Sequence, residues 1–290
     1  MPEPDHLLIF GLGYSGLAIA CEAVARGWLV TATVRAMPPA APSGVKLVRF
    51  DEAAPAIAAA THCVSTAGPE LGGDPVLARY GEALAAAPVL RWAGYLSTTG
   101  VYGDRQGGSV DEAAAPAPCN ERSLRRLAAE AAWRDAMAER ALDLFRLGGI
   151  YGPGRSAFDE LRAGRARRIA RDGHRFGRIH RDDIAAAVLA AASQTPAPGA
   201  RVLNLVDDAP AEPQAVVEYA AGLLGKEAPP LVPFAEAAAL MSGMALSFWA
   251  ESRVVRCEAT KRALGIAWLY PSYREGLAAI LAEERLQGSR

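Results

Sequence analysis

The first residues able to do chemistry in this sequence are three glycines near its start. Gly11-Leu12-Gly13-Tyr14-Ser15-Gly16 has the spacing G-x-G-x-x-G. Between a strand and a helix, the first glycine makes the tight turn, the second admits a pyrophosphate and the third lets the helix approach the sheet. The helix N-terminus then faces the phosphates with its partial positive charge, with Tyr14 and Ser15 in the same turn. A site reading NAD usually carries Asp or Glu about 20 residues further on, where it accepts hydrogen bonds from ribose hydroxyls. No acid occurs between Gly27 and Phe50, and the second predicted strand ends at Arg35. A guanidinium there suits a 2′-phosphate, so NADP is the expected cofactor and NAD the alternative. Asp51, just past the third predicted strand, could accept from an adenine amino group or belong to a surface turn.

Further candidates lie along the chain. Ser97, Thr98 and Thr99 place three hydroxyls together at the end of a predicted strand, where they could meet a substrate oxygen or simply cap a turn. Arg122 and Arg126 are four apart, which puts both on one helix face. His180 has a side chain that titrates near neutrality, and Asp182 or Asp183 is expected to cap the helix that follows. Between Arg162 and Arg181 stand eight arginines, at 162, 165, 167, 168, 171, 175, 178 and 181, against the single acid Asp172. They could hold a phosphate-bearing substrate or make a solvated basic face.

The elements that position these groups follow from periodicity. Strand-like runs at Leu7–Phe10, Trp28–Arg35, Val45–Phe50, Cys63–Thr66, Val89–Ser97, Leu142–Leu147 and Arg201–Val206 alternate with alanine-rich helical stretches, the signature of a parallel sheet covered on both faces. After about Pro210 the alternation gives way to helical pieces at 211–224, 234–244 and 272–285, separated by prolines. The expected architecture is α/β, a Rossmann doubly wound parallel sheet over residues 1–205. A smaller, mostly helical C-terminal substrate lobe would span 206–290, with 151–180 contributing to the cleft. The helix at 121–139 carries an apolar stripe, Leu124, Leu127, Ala131 and Met137, which could face the sheet or a second copy in a homodimer.

Taken in order, the glycine turn, Ser97-Thr98-Thr99-Gly100-Val101-Tyr102-Gly103, Gly149-Ile150-Tyr151-Gly152-Pro153-Gly154 and Arg178-Ile179-His180-Arg181-Asp182-Asp183-Ile184-Ala185 resemble the extended and atypical short-chain dehydrogenase/reductase superfamily, the nucleotide-sugar epimerase/dehydratase group. The stretches Ala259–Gly265 and Tyr270–Leu277 are similar to a C-terminal segment of that group. The resemblance implies that Ser97 and Thr98 sit at the carboxyl end of the fifth strand, that Ala67 and Gly68 line the cofactor, and that Gly149 and Ile150 pass beside the nicotinamide. It also implies a Tyr-x-x-x-Lys pair on the next helix, and registering on Glu130 puts Arg122 and Arg126 at those positions. Arg126 can replace the lysine as a fixed charge, whereas Arg122 cannot shuttle protons. Thr98, Tyr102 and His180 are the remaining proton-transfer candidates, although the resemblance makes the stretch at His180 a structural strand.

The predicted catalytic set is therefore Thr98, Tyr102 and Arg126. The predicted cofactor set is Gly11, Gly13, Tyr14, Ser15, Gly16, Arg35, Asp51, Ala67, Gly68, Ser97, Gly149 and Ile150. The expected activity is that of an NADP-dependent oxidoreductase or epimerase/dehydratase-like enzyme on a small polar substrate, phosphorylated or nucleotide-linked. The rival is a catalytically silent dinucleotide-binding sensor or regulatory protein.

Composition bounds these readings. The 290 residues carry a net charge of −1, with 51% apolar and 22% charged, which argues against disorder and against general attraction to nucleic acid. Four scattered cysteines lack the spacing of a metal or disulfide framework. The acidic N-terminal stretch lacks the form of a leader, and no apolar run reaches the roughly 20 residues of a membrane helix. A cytoplasmic protein with no metal is expected.

Overall fold

The computed structural model describes residues 5–38, 40–194 and 196–288; residues 1–4, part of the N-terminal stretch weighed above as a leader, lie outside them. The chain opens with β1 (His6–Phe10), α1 (Tyr14–Ala25), β2 (Leu29–Val34), β3 (Val45–Arg49), α2 (Ala54–Ala59), β4 (His62–Ser65), α3 (Pro75–Ala85) and β5 (Trp92–Thr98). There follow β6 (Ser109–Val110), α4 (Glu121–Ala136), β7 (Ala141–Leu147), β8 (Gly149–Tyr151), α5 (Ala157–Arg162), β9 (Arg168–Ala170), β10 (Arg178–His180), α6 (Arg181–Ala192) and β11 (Gly199–Leu205). The rest comprises α7 (Pro213–Leu223), β12 (Leu231–Pro233), α8 (Phe234–Ala238), α9 (Gly243–Trp249), β13 (Val254–Val255), α10 (Glu258–Leu264) and α11 (Tyr273–Gly288).

Seven strands form one parallel sheet in the order β11-β7-β5-β4-β1-β2-β3. This is the expected doubly wound α/β architecture. The order reverses at β1, with β2 and β3 to one side and β4 to the other, and the carboxyl ends of β1 and β4 therefore flank a crevice of the kind in which ligands bind. Alternation along each strand supplies both faces. Leu7 and Ile9 join one core cluster with Ile19 of α1 and Val188 of α6, while Leu8 and Phe10 join the other with Tyr80 of α3 and Trp133 of α4. The strands are apolar on both sides because helices cover both.

Several details differ from the sequence reading. The fifth strand starts at Trp92, three residues later than expected, and Val89 before it is exposed. The helix expected at 234–244 is two short helices, and Ser242 caps the second by accepting from Ala245 N at 3.2 Å. The helix α6 is capped by His180, whose Nδ1 accepts from Asp182 N, and not by Asp182 or Asp183. Asp183 instead points out of the helix, accepting from Leu269 N and Tyr270 N at 2.7 and 3.1 Å, and so ties the C-terminal segment to α6. Three two-stranded parallel pairs, β8 with β10, β9 with β12 and β6 with β13, escaped the pattern because strands of two or three residues carry no periodicity. On α4, Leu124 is exposed whereas Met137, just past its end, is buried against the sheet.

Beyond the sheet, a separate apolar cluster joins Tyr151 and Phe158 to Val216, Ala220, Tyr273, Leu277 and Ile280. It ties α5 to α7 and α11. Among the described residues, no helix is long and apolar enough to cross a membrane, and no group of three His, Cys, Asp or Glu side chains could hold a metal ion.

Candidate functional site

The glycine turn lies at the carboxyl end of β1 and is held from both neighbouring strands. Thr33 of β2 accepts at its hydroxyl from Gly11 N at 3.0 Å and at its carbonyl from Leu12 N at 3.1 Å. On the other side, the Thr66 hydroxyl donates to Gly11 O at 2.7 Å. Gly11 has φ +96°, a conformation that favours glycine, and a side chain there would meet Thr66 Oγ1 at 2.9 Å. At Gly16 an added Cβ would come within 2.2 Å of Gly11 O. At Gly13 it would meet nothing within 4 Å, so the backbone is open at the second glycine. Gly13 is also the N-cap of α1, with no side-chain cap and no acid in the first turn. The first amides of α1 are thus left for an external acceptor.

In front of the turn is a cleft of about 890 Å³, lined among others by Gly11, Gly13, Arg35, Phe50, Ala67 and Gly68. Arg35 is exposed and has no hydrogen-bond or ion-pair partner among the described residues. The other predicted cofactor residues are placed differently. The Asp51 carboxylate is bonded to Arg49 by two hydrogen bonds of 3.1 Å, outside the cleft lining, and Phe50 takes the wall position beside it. Tyr14 leans toward the loop after β8, donating to Pro153 O at 3.1 Å with the guanidiniums of Arg155 and Arg181 5.6 and 5.3 Å from its ring. Ser15 is buried in α1, and Ile150 lies in β8 paired with Ile179.

A second cavity, of about 300 Å³, continues along the carboxyl edge of the sheet. Thr98, Gly100, Arg122, Gly149, Arg175, Phe176, Arg178, Phe248, Glu251 and Arg253 are among its walls. Thr98 Oγ1 accepts from Gly100 N at 3.1 Å, which leaves the hydroxyl proton available toward the cavity. Arg122, from the first turn of α4, places its guanidinium 4.2 Å from the Phe248 ring centroid. Burial, then the like charge of Arg126, pulls the Arg122 pKa down. Arg126 lines neither cavity but lies beside Gly68 of the first. It donates to Leu96 O and Tyr95 Oη at 2.9 and 3.1 Å, and its NH2 lies 3.3 Å from where a Gly68 Cβ would be.

Ser97 and Tyr102 are among the predicted site residues that line neither cavity. Ser97 donates to Glu130 at 2.5 Å, Arg146 donates to both Glu130 oxygens at 3.1 and 2.7 Å, and the Arg146 guanidinium lies 4.7 Å over Tyr102. Tyr102 then donates to Asn204 Oδ1 at 2.8 Å and is 0% exposed. This is a closed, buried chain in which each polar group has a partner. Burial also raises the Tyr102 pKa, so the phenol keeps its proton inside the structure. As a proton donor to substrate, Tyr102 is corrected to a structural residue, and Ser97 has its hydroxyl committed to Glu130. His180 is likewise enclosed, between the rings of Tyr151 and Tyr270, and burial lowers its pKa to about 4.

The arginine cluster divides. Arg162 pairs with Glu284, Arg165 with Glu160, Arg168 with Glu218 and Arg181 with Asp182, while Arg171 bonds Trp249 O. Only Arg175 and Arg178 of the eight line the second cavity. Sequence reasoning missed Phe248, Glu251, Arg253 and Asn120, which come from segments without a motif. It also missed Thr33 and Thr66 as locks of the glycine turn, though both are hydroxyl residues at strand ends beside it.

No protein-family model and no curated protein matches the chain. Among solved structures, it is similar to a functionally unknown conserved protein from Silicibacter pomeroyi DSS, at 40% identity over 96% of this chain and 99% of that one, with a TM-score of 0.87. It is also similar to the human epimerase family protein SDR39U1 with NADPH, at 22% identity over 95% and 98% of the two chains and a TM-score of 0.77. A third similar structure is the UDP-glucuronic acid 4-epimerase from Bacillus cereus in complex with NAD, at 15% identity over 97% and 99% and a TM-score of 0.75. At their lower identities the last two establish a shared fold.

Proposed function

The chain belongs to the family of the Silicibacter pomeroyi protein, within the atypical and extended short-chain dehydrogenase/reductase superfamily, and from that premise we propose that it is an NADP-dependent oxidoreductase or epimerase/dehydratase-like enzyme with an altered acid/base apparatus. The observation that carries the proposal is the open backbone at Gly13 and the uncapped start of α1, facing a cleft that also presents the unpartnered Arg35. These features fit a dinucleotide: amides for the pyrophosphate, and a guanidinium for a 2′-phosphate. NADPH and NAD accompany the human and Bacillus relatives in fold.

When bound, the nicotinamide supplies hydride transfer. The chain's own residues supply the rest. Gly149 lines the second cavity beside Thr98, which would bring a substrate oxygen within reach of the Thr98 proton. Arg126 gives a fixed positive charge next to Gly68, the role of the lysine in the Tyr-x-x-x-Lys pair. Arg122 holds the tyrosine's position without its chemistry, since a guanidinium does not release its proton. Glu251 is no substitute: it is buried, its oxygens accepting from Asn120 and Arg253 at 2.7 and 2.6 Å.

That same gap favours a second reading, a dinucleotide-binding sensor or regulator without turnover. The two are separated by following NADPH oxidation at 340 nm with small anionic aldehydes and ketones. Turnover that falls about 10-fold or more in Thr98→Ala, with NADPH affinity retained, supports the enzyme. NADPH binding with no turnover on any carbonyl supports the sensor.

A further inference from the structure

The second cavity limits what it can hold by size and by charge. Its volume of about 300 Å³ is at the bottom of the range of roughly 300–1,000 Å³ for small-molecule sites. Phe176, Val206, Phe248 and Val255 supply apolar wall. Of the charged groups, Glu251 and Arg253 neutralise each other at 2.6 Å, and Arg253 donates further to Gly103 O. Arg178 gives one amino group to the carbonyls of Phe176 and Ala211 and lies near the Asp207 carboxylate.

Two of the lining cations have neither an ion pair nor a hydrogen bond among the described residues. Arg122 has no ion pair: its guanidinium lies over the Phe248 ring, repelled by Arg126 and more weakly attracted by the Glu251 carboxylate, which is itself paired with Arg253. Arg175 has no hydrogen-bond or ion-pair partner among the described residues. They reach the cavity from separate elements, α4 and the loop before β10. Both residues are exposed at the cavity, so their guanidinium donors can take a bound anion by charge-assisted hydrogen bonds.

We propose that this cavity takes a small dianion of a few carbon atoms, a dicarboxylate or a phosphate monoester, held between Arg122 and Arg175, and not a nucleotide-linked sugar. The proposal rests on reading the cavity as the substrate side of the site described above. A nucleotide sugar would add a base, a ribose and a diphosphate to the sugar, and needs the upper part of the size range. The position that in the superfamily pattern belongs to the acid/base tyrosine is here a substrate anchor.

Calorimetric titration of the full chain without dinucleotide tests this, using malonate, glycerol 3-phosphate and UDP-glucuronate as probes. One of the two small anions should bind more tightly than UDP-glucuronate, and which one identifies the anion's chemistry. Arg122→Gln and Arg175→Gln should each weaken that binding by about tenfold or more, and Arg122→Lys should recover only part of the loss because it lacks the fork. Arg167→Gln, on an exposed arginine outside the cavity, should stay within about twofold. The idea is overturned if neither small anion binds, if UDP-glucuronate binds more tightly than both, or if both glutamine variants, checked as folded by thermal melting, bind like wild type. A separate NADPH titration keeps the two readings apart: small-anion binding without NADPH binding sinks the cofactor reading and leaves this one standing, and the converse does the opposite.

Discussion

At the glycine-turn end of the crevice, six consecutive residues and two threonines supply the geometry of the turn. At the other end, Thr98, Arg122, Gly149, Arg175 and Phe248 arrive from five separate stretches. The first end is a local device in which the turn, the helix start and the strand ends belong to one βαβ unit. The second exists only once β5, α4, β8, β10 and α9 have packed. From Ser97, next to Thr98 in β5, runs the buried chain Ser97–Glu130–Arg146–Tyr102–Asn204, which fixes β5 to α4, β7 and β11. A local turn is broken by local substitutions, whereas an assembled cavity is broken through its frame.

The largest expected effect lies in that frame. Replacing Glu130 by Ala leaves the Arg146 charge buried without its partner, with the two side chains 1% and 3% exposed in the native structure. Such a loss costs about 3–5 kcal/mol, to be read as a shift in the urea midpoint; a change under about 1 kcal/mol would mean that the chain is not the frame it is taken to be.

Next comes the turn. Gly16→Ala forces a carbon to within 2.2 Å of Gly11 O, so the helix start must shift, at about 1–3 kcal/mol of stability. NADPH affinity should fall by about 100-fold, while small-anion binding at the far end stays near wild type. Equal loss at both ends would merge the two regions into one.

The smallest effect is a dependence on pH. Asp207 is 2% exposed, its Oδ2 has no partner among the described residues, and burial raises its pKa from 3.8 to about 7. The folded state therefore holds this proton more tightly than the unfolded chain. The stability it contributes is fully present below about pH 3.8 and is lost as pH rises toward 7. Asp183, pushed up to about 6 by burial, acts in the same direction, whereas His180, lowered to about 4, acts in the opposite one. Wild type minus Asp207→Asn isolates the aspartate: the difference in melting temperature should turn against wild type between pH 4 and 7. A flat difference would contradict the raised pKa.

The same contrast explains what could be read in advance. The seven sheet strands were legible because a strand covered on both faces is a continuous apolar run, as at Leu7–Phe10, and the turn because its glycines are adjacent in sequence. Thr98, Gly149 and the arginine positions Arg122 and Arg126 were reachable through the ordered motifs. Tyr102 was misjudged because its motif places it at the strand end, while Asn204, which takes its hydroxyl bond, is 102 residues away. The eight arginines looked like one patch in sequence, yet Glu284 and Glu218, which neutralise two of them, come from α11 and α7. Asp183 reads as a cap because acids so often start helices, and only the arrival of Leu269 and Tyr270 gives its carboxylate another use.

The most direct measurement on the central claim is a side-by-side fluorescence titration of wild type and Arg35→Asp with NADPH and NADH. Wild type should prefer NADPH, and Arg35→Asp should weaken NADPH by about tenfold or more while leaving NADH within a few-fold, because a charge-assisted contact to the 2′-phosphate becomes a repulsion. Equal loss for both cofactors would reject Arg35 as the reader of that phosphate, and binding of neither by wild type would contradict the dinucleotide site itself.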